Sequence, residues 1–541
     1  MFTPKNIIFD DAGRSKLRDG ITKMSSAVKS TLGPSGQTVI IESEQHTHGI
    51  TVTKDGVTVA KSIHLMDAVE NLAVRIMREA SERTSTQAGD GTTTAIVLTE
   101  ALIKVTEGFI SDYSEINKTD FLRFLSILSE DTIKRLGASA TKLTSKKMLD
   151  VATISANNDR ELGKIISDVY KEVGRDGVVT VENGQLPNTY FDVTKGMRFE
   201  RGYTSSLFVN NHETDECVLE DCYVMVCGNE INSPLQVENV LKEIIGDRHK
   251  LLLVAPCSVN FINTMGANVM QNGVKFCNVN PPQFGWKQEE VMSDLALSLG
   301  AKYFSEKTGD DLALMTMADL GFAKKVVVKR DHTIVMRDES RVDQGDIDQR
   351  VKELRSAFEH TNKKEEKDFF LERIASLAGG VGVIYVGGNT DLEQKERYDR
   401  VDDAVCAVRS ALTDGIVPGG GIALLEQAER LSVMSLKDGL SKEETLAAKV
   451  LATALEAPFH QIITNAGIKV DDVLNEVINH SERGYGFNVK TRTYGNMMRQ
   501  GVVDPAKVTK SALRNAVAVA TTILSTNAII TSARTYEDAS K

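Results

Sequence analysis

The chain is poor in the residues that mark several protein classes. It has only six cysteines in 541 residues, Cys217, Cys222, Cys227, Cys257, Cys277 and Cys406. None forms a C-x-x-C pair, and no histidine follows at metal-ligand spacing. A disulfide framework or a cysteine-based zinc site is therefore excluded, and buried reduced thiols are expected. No apolar run approaches the roughly 18 residues of a membrane helix. Residues 1–6 lack the charged stretch and apolar core of a signal peptide and the arginines of a transit peptide, so a cytoplasmic location is expected. Positive charge is the minority sign: 64 Lys and Arg stand against 75 Asp and Glu, for a net −11. An acidic chain repels a phosphate backbone, so nucleic acid is not an expected partner. Prolines number only 10 and aromatic residues make up 6%, while 41% of residues are hydrophobic, which is the composition of an ordered globular protein.

A single hydrophobic core does not serve so long a chain, and about three domains are expected from length alone. In the first third, Leu17, Ile21, Met24 and Val28 recur at helical spacing, as do Val69, Leu72, Ala73, Ile76, Met77 and Ala80. A hairpin is expected around residues 38–41 and 51–53, with His46 and His48 as solvated surface in its loop. A helix starting at Thr92 is apolar nearly all round, which predicts burial. The middle third alternates short strand-like runs (178–181, 223–226, 251–254, 275–279, 326–328, 333–336) with helical segments (235–245, 289–299), the pattern of an α/β domain. Residues 352–373 read as one long charged helix. The last third is helical again, with a stripe at Val401, Ala404, Val405, Val408, Ala411 and Leu412 and a buried helix over 512–524. Helix-rich ends around an α/β middle suggest an inserted domain. No internal repeat is present, and the tail over residues 535–541 is short and polar.

Three glycine-rich turns adjoin helix ends: Gly33-Pro34-Ser35-Gly36, Gly89-Asp90-Gly91 and Gly419-Gly420-Gly421. Each alone reads as punctuation of the chain. The run Gly89-Asp90-Gly91-Thr92-Thr93-Thr94 is more specific. Glycines let backbone approach an anion, and the start of a buried helix offers free N–H groups and a positive dipole end. The threonines add hydroxyls. Asp90 beside phosphates would be repulsive without a cation between them, which makes it a natural Mg²⁺ ligand. The Walker pattern G-x-x-x-x-G-K-[ST] is missing, which excludes a P-loop protein.

Taken with Thr31-Leu32-Gly33-Pro34, Thr53-Lys54-Asp55-Gly56, Thr153-Ile154-Ser155-Ala156-Asn157, Arg400-Val401-Asp402-Asp403-Ala404, Pro418-Gly419-Gly420-Gly421, Tyr494-Gly495-Asn496-Met497 and Val503-Asp504-Pro505, this run resembles the group I chaperonins, the GroEL-like family of bacteria and organelles. The motifs keep the family's order from about residue 6 to about residue 530. The resemblance implies a multidomain, α-rich α+β chaperonin fold in three domains. These are a helical equatorial ATPase domain (1–138 and 414–541), a small intermediate hinge domain (139–194 and 380–413) and an α/β apical client-binding domain (195–379). It implies a Mg-ATP-driven chaperone that binds non-native proteins and promotes their refolding in a ring of identical subunits, heptameric in the family, with a co-chaperonin lid as a further partner.

Carried over by position, the resemblance makes Thr31, Leu32, Gly33, Pro34 and Lys54 phosphate-loop residues and Asp90 the magnesium ligand. Gly91, Thr92, Thr93 and Thr94 become the phosphate cradle. Gly420 and Asp504 become ribose contacts, and Asn488 and Val489 the adenine side. Thr31 and Lys54 would offer backbone carbonyls to K⁺. Asp403 becomes the carboxylate that positions the attacking water, with Asp55 a second acid. Water positioning and charge neutralisation are what phosphoryl transfer asks of a protein. The competing reading of Asp402 and Asp403, acids in the first turn of a helix, is kept for Asp402.

The chain also departs from the family. In the apical groove Tyr203, Leu207, Phe208 and Leu241 fit the usual apolar surface. Glu238, Asn263, Ala267 and Asn268 stand where aliphatic residues are usual. A shift of one residue would offer Ile262, Met265 and Val269 instead, either to clients or to packing beneath the helix. A glycine- and methionine-rich tail is missing. These departures leave open a second reading, a ring that holds a narrow set of clients without a lid.

Overall fold

The computed structural model describes residues 5–42, 49–110, 116–174, 177–212, 214–305, 309–361 and 364–532. His46, His48 and the tail over 535–541 lie outside the described residues. Packing divides the chain into two compact units. One comprises Met1–Ser167, Val181–Tyr190 and Val386–Lys541, and the other Asp168–Thr180 and Phe191–Tyr385.

The first unit is a bundle of long helices. The stripe foreseen at Leu17, Ile21, Met24 and Val28 is buried on helix Asp10–Lys29, and Val69, Ala73, Met77 and Ala80 are buried on helix Ala68–Ala88. These two helices approach so closely that a Cβ on Gly20 would lie 2.5 Å from the carbonyl oxygen of Glu70. Helix Thr92–Phe109 runs through the same core, with Ile96, Leu98 and Leu102 fully buried, as its all-round apolar character requires. Helices Lys442–Asn465 and Ala506–Ser525 supply Leu451, Leu455, Leu513 and Val517 to it. The two ends of the chain are tied together: strand Lys5–Phe9 pairs antiparallel with strand Ala528–Ser532. Three further two-stranded ribbons serve the loops. Val39–Glu42 pairs with Ile50–Thr53, Ile416–Pro418 with Val503–Pro505, and Tyr485–Asn488 with Thr493–Asn496.

The second unit is built on a nine-stranded mixed sheet. Its path runs Val178–Asn183, Gly380–Val386, Tyr190–Phe199, Thr333–Arg337, Gly321–Val328, Cys217–Cys227, Lys250–Val254, Phe276–Val279, with Tyr303–Phe304 beside Cys217–Cys227. Strands Cys217–Cys227, Lys250–Val254 and Phe276–Val279 are parallel neighbours, linked by helices Glu238–Gly246 and Val259–Asn272.

The long charged helix expected over 352–373 is two helices, Gln344–His360 and Lys364–Ala378. The break falls at the uncharged Thr361-Asn362, residue types that cap helices, a signal that the surrounding charge density obscured. The segment expected as a helix from residue 235 opens with a 3₁₀ turn, Pro234–Val237, capped by Ser233 with Gln236 reaching back. All six cysteines are free thiols. Burial pushes Cys222, Cys257 and Cys406 up to about 12, so they are inert at neutral pH.

A buried ion cluster ties the long helices of the second unit together. Arg373 Nε donates to Asp294 Oδ2 at 2.6 Å and Arg350 Nε to Asp294 Oδ1 at 3.0 Å, and both Asp294 and Arg373 are almost fully buried. Removing one member of such a cluster strands the other's charge. Asp294→Ala is expected to cost about 3 kcal/mol, the low end for a broken buried pair because Glu290 still reaches Arg373. Urea unfolding followed by circular dichroism measures this; a loss under about 1 kcal/mol would assign the cluster no more than the worth of a surface pair.

Candidate nucleotide site

One cavity of about 700 Å³ lies within the first unit. The turn Thr31–Pro34 follows the end of helix Asp10–Lys29. Asn465, at the end of helix Lys442–Asn465, donates its side-chain amide to the carbonyls of Lys29 and Leu32, both at 2.9 Å, and so pins the turn. Lys54 and Asp55 follow strand Ile50–Thr53. Asp55 caps helix Gly56–Ser62, accepting from Val57 N at 3.0 Å, Thr58 N at 2.8 Å and the Thr58 hydroxyl at 2.7 Å. Gly56 must be glycine here, since a Cβ would lie 2.2 Å from Thr93 Oγ1.

Helix Thr92–Phe109 points its N-terminus into the cavity. Its N-cap is Gly91 at φ +84, which no side chain caps. A Cβ on Gly91 would also lie 2.5 Å from Val508, so both backbone angle and space demand glycine. Thr92, Thr93 and Thr94 line the cavity beside the free N–H groups of the first turn. Helix Asp391–Asp414 presents Asp403, and with it Asp399 one turn earlier. Asp402 is exposed, whereas Asp403 is half-buried and lines the cavity. The first-turn reading of these two acids fails: the helix begins at Asp391, and both sit in its middle. Across the cavity, Val417 pairs with Asp504 in the ribbon between Ile416–Pro418 and Val503–Pro505. That pairing sets Asp504 beside the Gly419–Gly421 turn, whose Gly419 Cα has room only for hydrogen because a Cβ would touch Asp504 Oδ1 at 3.0 Å. Asn488 and Val489 close the cavity at the end of strand Tyr485–Asn488.

Every residue singled out from sequence as a site candidate lines this cavity: Thr31, Leu32, Gly33, Pro34, Lys54, Asp55, Asp90, Gly91, Thr92, Thr93, Thr94, Asp403, Gly420, Asn488, Val489 and Asp504. The sequence reading missed others. Ser155 donates to Asp90 Oδ2 at 3.3 Å, and Asp399, Arg160, Arg400, Phe487 and Met497 also face the space. Ser155 belongs to a motif already singled out, so its signal was present without a role. Asp399 gave no signal, being one more acid on a charged helix.

The electrostatics are those of acids short of cations. Asp90 accepts from Gly91 N at 2.5 Å and from Ser155. Burial nonetheless raises its carboxyl, helped by the nearby charge of Asp55. Burial raises Asp403 well above the usual carboxylate range, and the charges of Asp90 and Asp55 push it further. Burial and then Asp90 push Asp504 up to about 7, and burial and then Asp55 push Asp399 up to about 6. Among the described residues, Asp403, Asp399 and Asp504 accept no hydrogen bond and make no ion pair. Also among the described residues, no group of three or more His, Cys, Asp or Glu is placed to hold a metal ion by itself. A divalent cation at Asp90 would therefore share its shell with ligand oxygens, and the acid-rich, cation-poor cavity suits that arrangement.

The raised carboxyl of Asp504 gives a signed pH dependence. An ordinary aspartate ionises near about 3.9, so folding takes up a proton between there and about 7. The charged form is penalised in the folded state, and the nucleotide-free protein loses stability as pH rises through that window. Asp504→Asn removes the penalty. It is expected to stabilise the nucleotide-free protein by about 2 kcal/mol at pH 8, discounted for the water the cavity admits, and to change little at pH 4. Melting curves at the two pH values test this; equal effects at both would assign the change to packing.

Residues 24–534 match the TCP-1/cpn60 chaperonin family. Two solved structures of the chaperonin gp146 from the bacteriophage EL 2 (Pseudomonas aeruginosa), crystallised in the presence of ATP-BeFx, are similar over 98% of this chain and 99% of theirs. Both are 22% identical in sequence, with TM-scores of 0.74 for crystal form II and 0.65 for form I, so the likeness is one of fold. With the family matched over nearly its whole length and the multidomain mixed fold matched end to end, the chain belongs to the TCP-1/cpn60 chaperonin family.

Proposed function

We propose that this chain is an ATP-hydrolysing chaperonin subunit that assembles into a ring, captures non-native proteins and promotes their refolding. The observation that carries the reading is the single cavity that gathers a helix N-terminus, two further turns and unpartnered aspartates from segments far apart in sequence. The ATP-BeFx in the gp146 crystals supports a nucleotide as the occupant.

In this reading the N–H groups and hydroxyls of Thr92, Thr93 and Thr94 hold the phosphates, with the Thr31–Pro34 turn and Lys54 beside them. Asp90 would hold Mg²⁺, which when bound neutralises phosphate charge. Among the described residues the carbonyls of Thr31 and Lys54 accept no hydrogen bond, which leaves them free for K⁺. Asp504 and Gly420 take the ribose hydroxyls, and Asn488 and Val489 flank the base. Asp403 accepts a hydrogen bond from the attacking water and turns its lone pair toward the γ-phosphorus. Asp55 is committed to its helix cap, so it contributes charge to the site while Asp403 orients the water. The proposed domain division sets residues 139–194 and 380–413 apart as a hinge domain between the nucleotide-binding ends and residues 195–379; residues 168–180, 191–194 and 380–385 of that hinge pack with the second compact unit. A lid-independent ring for few clients is the second reading. It is favoured by the exposed Asn263 and Ala267 on helix Val259–Asn272.

Refolding yield of an aggregation-prone client, measured with phosphate release and with or without a seven-subunit co-chaperonin, tests the proposal. ATP-dependent rescue supports it; phosphate release without rescue in either case favours the holding ring. Asp403→Ala is expected to bind ATP normally and to lower turnover about 100-fold or more. Normal turnover would remove Asp403 from the mechanism. Asp90→Ala is expected to abolish the Mg²⁺ dependence of ATP affinity in calorimetric titration, and an unchanged dependence would leave Asp90 a structural acid.

A further inference from the structure

The cavity of the first unit is lined by many carboxylates and, among the described residues, by the cations Lys54, Arg160, Arg400 and Lys490. Lys54 stands beside the phosphates in the reading above, and Lys490 follows Val489 on the base side. Arg400 is engaged: it pairs with Glu396 one turn earlier and comes within 4.0 Å of Asp159. Arg160 has no such partner. Among the described residues its side chain makes no hydrogen bond and no ion pair.

The helix that Arg160 begins does not explain it. At the start of helix Arg160–Val173 a cation is opposed by the helix dipole, at a cost of about 0.3–1 kcal/mol. The N–H groups of that turn are met by Asp159, whose Oδ1 accepts from Glu161 N at 3.0 Å and Leu162 N at 3.1 Å. Nor does Arg160 neutralise the acids of the cavity. Burial and neighbouring acids raise Asp90, Asp399 and Asp403, and the cation that offsets part of this at Asp399 is Lys395.

Two contacts fix the segment that carries Arg160. Five residues before it, Ser155 donates to Asp90 Oδ2 at 3.3 Å. One residue before it, Asp159 faces Arg400, which lies on helix Asp391–Asp414 about one turn before Asp403. Between these points the turn is set by Asn157 at φ +56 and Asn158 at φ +62, two successive non-glycine residues in the left-handed region, and both line the cavity. Arg160 therefore stands on the Asp90 and Asp403 side. The base side is formed by a different element, the ribbon of Tyr485–Asn488 and Thr493–Asn496.

We propose that Arg160 is a catalytic residue of this site: its guanidinium contacts the oxygens of the terminal phosphate of ATP and stabilises their charge as the phosphoryl group passes to water. The inference rests on the reading of the cavity as an ATP-hydrolysing site and adds a residue to it. In the step, the water oxygen bonds to the γ-phosphorus. The bond from that phosphorus to the bridging oxygen breaks with its electron pair left on ADP, and a water proton passes to the carboxylate of Asp403. A planar guanidinium offers two parallel N–H groups to two phosphate oxygens. Arg160 is exposed at the rim and bonded to nothing, so it reaches the phosphate without breaking a contact.

Phosphate release and nucleotide titration with the full-length protein test this. Arg160→Ala is expected to lower kcat for ATP about 100-fold with KM changed less than about threefold, because the contact strengthens as charge builds on the transferring group. Arg160→Lys is expected to stay at least about tenfold below wild type, since an ammonium cannot make the paired contact. Affinity of Arg160→Ala for ADP with aluminium fluoride, which mimics the transferring group, is expected to fall about 100-fold while affinity for ADP alone and the melting temperature are unchanged. Turnover of Arg160→Ala within about threefold of wild type, an equal loss of affinity for ADP alone, or a loss of turnover matched by a fall in melting temperature overturns the proposal. The wild type separates the two levels. If it releases phosphate and Arg160→Ala does so as fast, only Arg160 is removed, whereas a wild type that binds ATP and releases no phosphate removes the hydrolysis reading and Arg160 with it.

Discussion

The structure of the first unit depends on keeping several carboxylates close together with too few cations. Asp90, Asp403 and Asp504 face one cavity, and each carboxyl is raised by burial and by a neighbouring acid's charge. A fold that served stability alone would have neutralised or separated them. Their neighbours do the opposite. Gly91 and Gly56 remove the side chains that would fill the space, and Asn465 and Ser155 hold the surrounding loops in place. The cost is borne by the large helical core behind the site, in which Ile96, Leu98, Leu102 and Ile103 of helix Thr92–Phe109 are buried.

Rigidity of the site comes from long-range pairings. Asp504 is placed by a three-residue ribbon joining Ile416–Pro418 to Val503–Pro505, and the end strands Lys5–Phe9 and Ala528–Ser532 join the two extremes of the chain. Such contacts link segments far apart in the chain, so the Thr92 side and the opposite wall of the cavity come together only in the folded unit. The second unit carries its own core on a mixed sheet, and its buried Asp294–Arg373 pair is a local solution to packing charged helices.

Much was legible in sequence wherever local physics decides. Helical stripes such as Leu17–Ile21–Met24–Val28 and the all-apolar run after Thr92 became buried helix faces, because periodicity sets which side can leave water. The glycine-rich turns were legible because only glycine tolerates their geometry. Less was legible where a partner distant in sequence decides. The sequence reading missed strand Gly380–Val386, although its Val, Ile and Tyr residues followed by Gly387-Gly388 are a strand signal, and it ran one helix through the uncharged Thr361-Asn362 between Gln344–His360 and Lys364–Ala378.

By itself, the sequence determined the class of protein, the periodic cores and the residue types around the glycine-rich start of helix Thr92–Phe109, since these rest on spacing and backbone freedom along a continuous stretch. Only the tertiary structure decided that Asp403 lies mid-helix facing the cavity while Asp402 faces solvent, and that Asp399 joins the acids. It alone placed Phe208, Leu241 and Met265 inside and Asn263 and Asn268 on the outer side of their helix. The physical reason is the same in each case: which side of an element meets water is set by what packs against the other side, and that partner is brought by the fold.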